Sequence, residues 1–223
     1  STQAKTLFPY TTLFRSHLHP AFGKGEMDAT YARSNATYHY QTGRGILERL
    51  RAGVKTSAEI EGWFDFRDVY DWIAQTLGEK ETFLEVGSWK GKSISYLYDR
   101  LEDLGKTPLV FAVDTFQGDA DTGFVDVKDE FVRNIGERRI GTTVATSVEA
   151  AKSTYHPKLS GVFLDAAHDY DSVMGDIAAW RSKVKPGGIF AGHDIDSPDV
   201  QRALADSGVT YQTMGRCWIA TQF

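Results

Sequence analysis

Three carboxylates, Glu85, Asp114 and Asp165, each stand at or near the end of a short apolar run, and the first is followed by Gly87 and Gly91. Carboxylates accept hydrogen bonds from hydroxyl and ammonium groups and repel phosphates. Glycines at 87 and 91 let backbone N–H groups approach a ligand closely, because no Cβ stands in the way. The bulky Trp89 and Lys90 between them leave no full GxGxxG pattern, which argues against a dinucleotide pyrophosphate. Asp114 follows Gly91 by 23 residues, close to the spacing of about 20 at which a strand-end acid holds ribose hydroxyls. These positions describe a ligand with a ribose, a positive centre and no phosphate.

Two further groups suggest proton or metal chemistry. His168, three residues past Asp165, is the candidate general base, since histidine alone changes charge near neutral pH without help. Asp165 and Asp194, ending adjacent strands, could share a divalent cation with His193. Carboxylates suit Mg²⁺, whereas the imidazole suits zinc, iron or nickel better.

For these side chains to meet, the runs that carry them must be parallel strands whose carboxyl ends line one crevice. The runs ending at Glu85, Asp114 and Asp165 read as such strands, with a third at 142–146 and a fifth at 188–192. Helical spacing joins them. Phe66, Val69, Tyr70, Ile73 and Leu77 form one stripe, with Asp65 as its expected cap. Ile94, Leu97, Tyr98, Leu101 and Leu104 form another, and a helix is expected near 125–135 and from Ser147. Val173, Ile177, Trp180 and Val184 form a stripe that ends at Pro186–Gly187–Gly188. A last helix begins near Pro198, and two strands then flank a turn at Met214–Gly215. The βαβ order implies right-handed crossovers and one α/β, doubly wound sheet from Ala58 to the C-terminus. Among the tryptophans, Trp180 belongs to the core, whereas Trp63, in a loop outside the periodic helix, is expected to touch a ligand.

Composition bounds the rest. The chain has 223 residues, 41% hydrophobic and 25% charged, with a formal net charge of -5, enough for one sizeable core and without the basic balance of a nucleic-acid binder. The single cysteine, Cys217, forms no internal disulfide, and no apolar run approaches the roughly 18 residues that cross a bilayer. A cytoplasmic protein with a small-molecule partner, and neither nucleic acid nor membrane, is the expectation; oligomeric state is left open. Residues 6–16 resemble a one-frame translation of a sequencing adapter, so 1–16 are set aside as a scar. Residues 17–57 read as a polar arm or lid.

The motifs around Gly87–Gly91, Asp114–Phe116, Thr146–Ala151, Asp165–Tyr170 and Lys185–Asp194 resemble, in order and spacing, those of class I S-adenosylmethionine-dependent methyltransferases, nearest the branch of metal-dependent small-molecule and sugar O-methyltransferases. The resemblance covers Glu61 to the C-terminus. It implies a Rossmann-like seven-stranded sheet with an antiparallel last strand. Gly87 and Gly91 would hold the methionine part of the cofactor, Asp114 its ribose, and Phe116 and Ser147 the adenine surroundings. Glu85, Ser88 and Asp165 complete the implied cofactor set, and Asp165, His193 and Asp194 the implied metal set, for Mg²⁺ or another divalent ion. Two alternatives stand beside this reading: a nicotinamide-dependent oxidoreductase, disfavoured by the missing GxGxxG, and a non-catalytic nucleoside-binding module, which needs none of His168, His193 or Asp194.

Overall fold

The computed structural model describes residues 55–119, 122–153 and 159–221; the adapter-like segment and residues 17–54 of the arm lie outside them. The first strand, β1 (Thr82–Val86), follows helix α1 (Arg67–Thr76) and leads through the glycine turn into α2 (Lys92–Asp103). There follow β2 (Leu109–Asp114), α3 (Lys128–Ile135), β3 (Ile140–Val144), α4 (Ser147–Ser153), β4 (Leu159–Leu164), α5 (Tyr170–Trp180), β5 (Val184–Gly192), α6 (Pro198–Asp206), β6 (Tyr211–Met214) and β7 (Cys217–Ala220). They form a seven-stranded sheet in the order β3-β2-β1-β4-β5-β7-β6. Strands β1 to β5 pair in parallel, and β7 pairs antiparallel to both β5 and β6. The sheet class read from the apolar runs is the one observed.

Alternation along each strand explains why helices cover both faces. Phe83, Val110, Ala112, Phe163 and Ala191 point to the face packed by α1, α2 and α3. Their neighbours Leu84, Phe111, Val113, Leu164 and Phe190 point to the face packed by α4, α5 and α6. Side chains two apart share a face, so a run apolar at every position is buried twice over. Chain order runs outward from β1 to β3 and resumes at β4 on the other side of β1. That reversal opens a crevice at the carboxyl ends of β1 and β4.

Three local readings change. The stripe ending at Val184 stops earlier: α5 ends at Trp180, one 3₁₀ turn follows over Arg181–Lys183, and Val184 already begins β5. Pro186 therefore sits in an extended strand, which its fixed φ tolerates, and the register with β4 shifts between Leu159 and Gly161. β3 begins at Ile140 and ends at Val144, two residues before the expected run. Asp65 does not cap α1; Phe66 occupies the N-cap without a side-chain bond, and Asp65 turns toward His193 and Arg216. Among the described residues, no helix is long and apolar enough to cross a membrane.

Candidate active site

The turn after β1 is built by backbone conformations that only specific residues adopt. Gly87 has φ +85°, and a Cβ there would lie 1.9 Å from the carbonyl oxygen of Asp165, so only glycine lets the turn cross the end of β4. Gly91, at φ +86°, starts α2 with Phe131 and Ile135 about 3 Å from where its Cβ would be. Trp89, Phe116 and Asp194 also take left-handed φ values, of 45°, 58° and 56°. Each follows the end of a parallel strand, and such residues collect where a site over-determines the backbone.

Asp114 compensates two of them. Its Oδ2 accepts the backbone N–H groups of Ser88 at 2.8 Å and Trp89 at 2.7 Å, and its Oδ1 accepts that of Phe116 at 2.7 Å. Burial pushes its pKa up while the three N–H donors pull it down. A carboxylate offers about four lone-pair sites, so one direction remains for a hydroxyl from the cleft.

Glu85 does not line the crevice, contrary to the expectation that all three strand-end acids would. It is fully buried behind the turn, accepting the Tyr70 hydroxyl at 2.5 Å and the Ser88 hydroxyl at 2.6 Å. Burial raises its pKa to about 7, with the hydroxyl donors opposing that rise. Phe116 is likewise buried, against Phe131. Of the implied cofactor set, Gly87, Ser88, Asp114, Ser147 and Asp165 line one cleft of about 840 Å³, while Glu85, Gly91 and Phe116 stand behind its wall. Trp63 lies at its mouth, 73% exposed.

At the other end of the cleft, Asp165, His193 and Asp194 form a cluster whose ligand atoms lie within 4.8 Å of one another. His193 Nδ1 is 3.3 Å from Asp165 Oδ1 and 3.2 Å from Asp194 Oδ1. Its Nε2 sits 2.9 Å from Asp65 Oδ1 without the alignment of a hydrogen bond, and is buried without another partner. Burial alone would lower the His193 pKa, but the two carboxylates outweigh it and raise it to about 10. Asp165 is pushed up by burial, against the pull of His193. Asp194 is held down chiefly by its hydrogen bond from His193. His168, 45% exposed, places Nδ1 3.4 Å from Asp194 Oδ2. It does not cap α5; Asp169 does, accepting the Ser172 N–H at 3.1 Å.

Several site residues carried no signal in the sequence. Arg216, in the β6–β7 turn, donates to Asp65 at 3.1 Å, to Asp194 at 3.0 Å and to Asp196 at 3.0 and 3.1 Å. It ties the hairpin to the segment before α1 and to the end of β5. Lys90 bridges Glu61 at 2.7 Å and Glu130 at 3.3 Å. Asp176, on α5, is a buried carboxylate of the cleft wall with a pKa raised by burial to about 6, against a hydrogen bond from Ser147. Asp176 lies six residues beyond Tyr170, where the nearest motif ends, which is why motif spacing missed it.

The cleft fits the group that the sequence implies. It is large enough for a nucleoside, it offers a strand-end carboxylate beside a Cβ-free turn, and two of the cations that line it, Lys90 and Arg216, are neutralised by carboxylates.

Comparison with known proteins follows the same direction. A family model described as a methyltransferase domain matches residues 84–195, half of the chain. Among curated proteins no sequence matches. Solved structures resemble the chain in fold. Cofactor-bound Rv0187 from MTB superposes with a TM-score of 0.52 at 16% identity, covering 78% of this chain and 88% of that one. The O-methyltransferase NovP gives 0.53 at 13%, covering 70% and 78%. CalS11, a TDP-rhamnose 3'-O-methyltransferase of calicheamicin biosynthesis, gives 0.50 at 12%, covering 82% and 96%.

Proposed function

The chain belongs to the methyltransferase-domain family and is a class I S-adenosylmethionine-dependent methyltransferase, and from that premise we propose that it methylates a hydroxyl oxygen of a small, polar, sugar-like acceptor. The observation that carries this reading is the position of His168, a solvent-reachable imidazole on the wall of the same cleft that Asp114 and Gly87 line.

When bound, S-adenosylmethionine supplies the sulfonium methyl group that is transferred. Gly87 and Ser88 would border its amino-acid part, their own N–H groups being bonded to the Val113 carbonyl and to Asp114, and Asp114 would have one acceptor direction left for its ribose. Methyl transfer is an in-line displacement, so positioning supplies much of the rate and a base must take the hydroxyl proton. His168 accepts that proton at its Nε2, with Nδ1 directed to Asp194. The imidazolium so formed lies next to the negative Asp194, which favours it. At the cleft mouth, the exposed face of Trp63 beside the carboxylate of Asp65 suits a ring that is apolar on its faces and hydroxylated at its edge.

Asp165, His193 and Asp194 would hold a divalent ion, because two carboxylate oxygens and one imidazole nitrogen already converge there. The imidazole favours a transition ion over Mg²⁺. When bound, such an ion lowers the pKa of a coordinated hydroxyl. To accept it, His193 must release the proton its two carboxylates stabilise.

Titration calorimetry tests the cofactor: S-adenosylhomocysteine is expected to bind and NAD not to. A methyl-release assay over sugars and phenols, with and without EDTA, tests acceptor and metal together. Turnover on no hydroxylated acceptor, with the cofactor bound, would overturn the oxygen assignment.

A further inference from the structure

We propose that Trp63 and Phe124 form an aromatic lip that receives a flat, apolar group carried by the acceptor, so that the substrate is an aryl glycoside or a similar aryl-linked polyol rather than a free sugar; this deepens the acceptor reading above and rests on it. Among the described residues five large apolar side chains are exposed, and three of them, Trp63, Phe124 and Val125, stand on two loops that pack against one indole, that of Trp89. A Cβ at Gly62 would lie 3.6 Å from Trp89 Cδ1, whereas a Cβ at Gly118 would lie 3.2 Å from Trp89 Cζ3 and 3.2 Å from the Val125 nitrogen. The two loops therefore meet different edges of the same ring. Gly62, Trp63, Trp89, Gly118 and Thr122 line the cleft, and Phe124 and Val125 continue its wall outward.

Neither ring is exposed through slack in its loop. Phe64, the neighbour of Trp63, is anchored among Phe66, Tyr70 and Tyr96 at centroid distances of 4.9, 5.5 and 5.1 Å, while Trp63 is left 73% exposed. Phe124 is held by its own turn. Asp119 and Thr122 exchange hydrogen bonds of 2.7, 2.8 and 2.9 Å, and the Asp119 carbonyl accepts the N–H groups of Gly123 and Phe124 at 2.9 and 3.0 Å. That turn imposes φ 49° on Phe124, a conformation bulky side chains rarely take, and leaves the ring 75% exposed. A strained backbone that delivers an apolar ring to water gains nothing for the fold, and such outliers collect at ligand sites.

The size of the patch selects its occupant. Trp63, Phe124 and Val125 together expose on the order of 400 Å². A stable interface between two proteins takes about 800 Å² from each, so the lip falls short of what a second copy needs and suits a small aromatic group instead. Phe124 and Val125 lie outside the residues that line the cleft. A bare hydroxylated ring within the cleft therefore leaves them uncovered, whereas an attached aryl group reaches them.

The test is calorimetry on the whole chain, alone and saturated with S-adenosylhomocysteine, against methyl and naphthyl glycosides of a panel of sugars. Wild type is expected to bind the naphthyl member of at least one pair about tenfold or more tightly than its methyl partner. In Trp63→Ala and in Phe124→Gly that preference is expected to fall to within about threefold. Glycine adopts the φ of residue 124 without strain, so Phe124→Gly is expected to melt about as high as wild type, which separates loss of a ligand contact from loss of the fold. Equal affinity within every pair, no binding of any naphthyl glycoside, or a preference that survives both substitutions overturns the assignment. A dimer in sedimentation that Phe124→Gly disperses also overturns it, because a second copy then covers the lip. Methyl release from S-adenosylmethionine is scored in parallel: a naphthyl preference without release supports the lip and fails the oxygen reading, whereas equal release onto methyl and naphthyl glycosides bound equally well fails the lip alone.

Discussion

Asp114 Oδ2 accepts the backbone N–H of Trp89 at 2.7 Å, so the acid that ends β2 holds the left-handed turn that follows its neighbour β1. One side chain thus has two places: it holds a strained turn and it lines the cleft. The Ser88 N–H shares the same oxygen. In Asp114→Asn, at least one of these N–H groups faces an amide donor or loses charge assistance, at a cost of about 1–3 kcal/mol. The expected melting temperature falls by roughly 2–12 °C for a domain of this size, and affinity for S-adenosylhomocysteine falls by about tenfold or more. A variant that melts like wild type would show that the turn stands without its clamp.

Gly87→Ala tests the close approach of the turn after β1 to the backbone that follows β4. A Cβ 1.9 Å from the Asp165 carbonyl cannot be accommodated without moving backbone. The expected loss is about 3 kcal/mol or more, combining the positive φ with the clash. Denaturant unfolding measures it. A loss under about 1 kcal/mol would mean that the turn is free to shift.

Burial of Glu85 sets the sign of a pH effect. Its pKa rises from an ordinary 4.5 to about 7 in the folded protein. A carboxyl raised on folding binds its proton more tightly when folded, so its contribution is fully present below pH 4.5 and is lost as pH climbs through 7. In Glu85→Gln that loss is absent. Between pH 4.5 and 8, the stability difference should move in favour of the glutamine variant by on the order of 2–3 kcal/mol. Urea melts across this range check it, and parallel pH profiles for the two proteins would contradict it.

His168→Ala separates chemistry from binding. Turnover is expected to fall by about 10²–10⁴ with acceptor saturating, while affinity for S-adenosylhomocysteine stays within about twofold, since the role proposed for the imidazole is toward the acceptor. Equal losses in both quantities would make His168 a binding residue rather than a base.

A divalent ion entering between Asp165, His193 and Asp194 must displace the proton of His193, whose pKa is raised to about 10. Apparent affinity for Mn²⁺ or Zn²⁺ is therefore expected to rise by about tenfold per pH unit below that value. Calorimetry at pH 6, 7 and 8 reads the slope. Lack of binding at all three would leave His193 as a fixed imidazolium partner of the two acids.

Much of this molecule could be read along the chain. Parallel strands buried on both faces are apolar at successive positions, so the runs ending near Glu85, Asp114 and Asp165 declared themselves, and Gly87 marked the turn because no other residue tolerates the crossing. Orientation and partnership were not readable in the same way. Whether a strand-end carboxylate faces ligand or core depends on what packs behind it, and Tyr70, fifteen residues earlier, draws Glu85 inward. The contact from Arg216 to Asp65 spans 151 residues, and the meeting of Trp180 with Ser147 spans 33. Local pattern encodes periodicity and backbone permission, which act between neighbours; hydrogen bonds between distant side chains depend on how the finished sheet brings its ends together, and only the tertiary structure decides that.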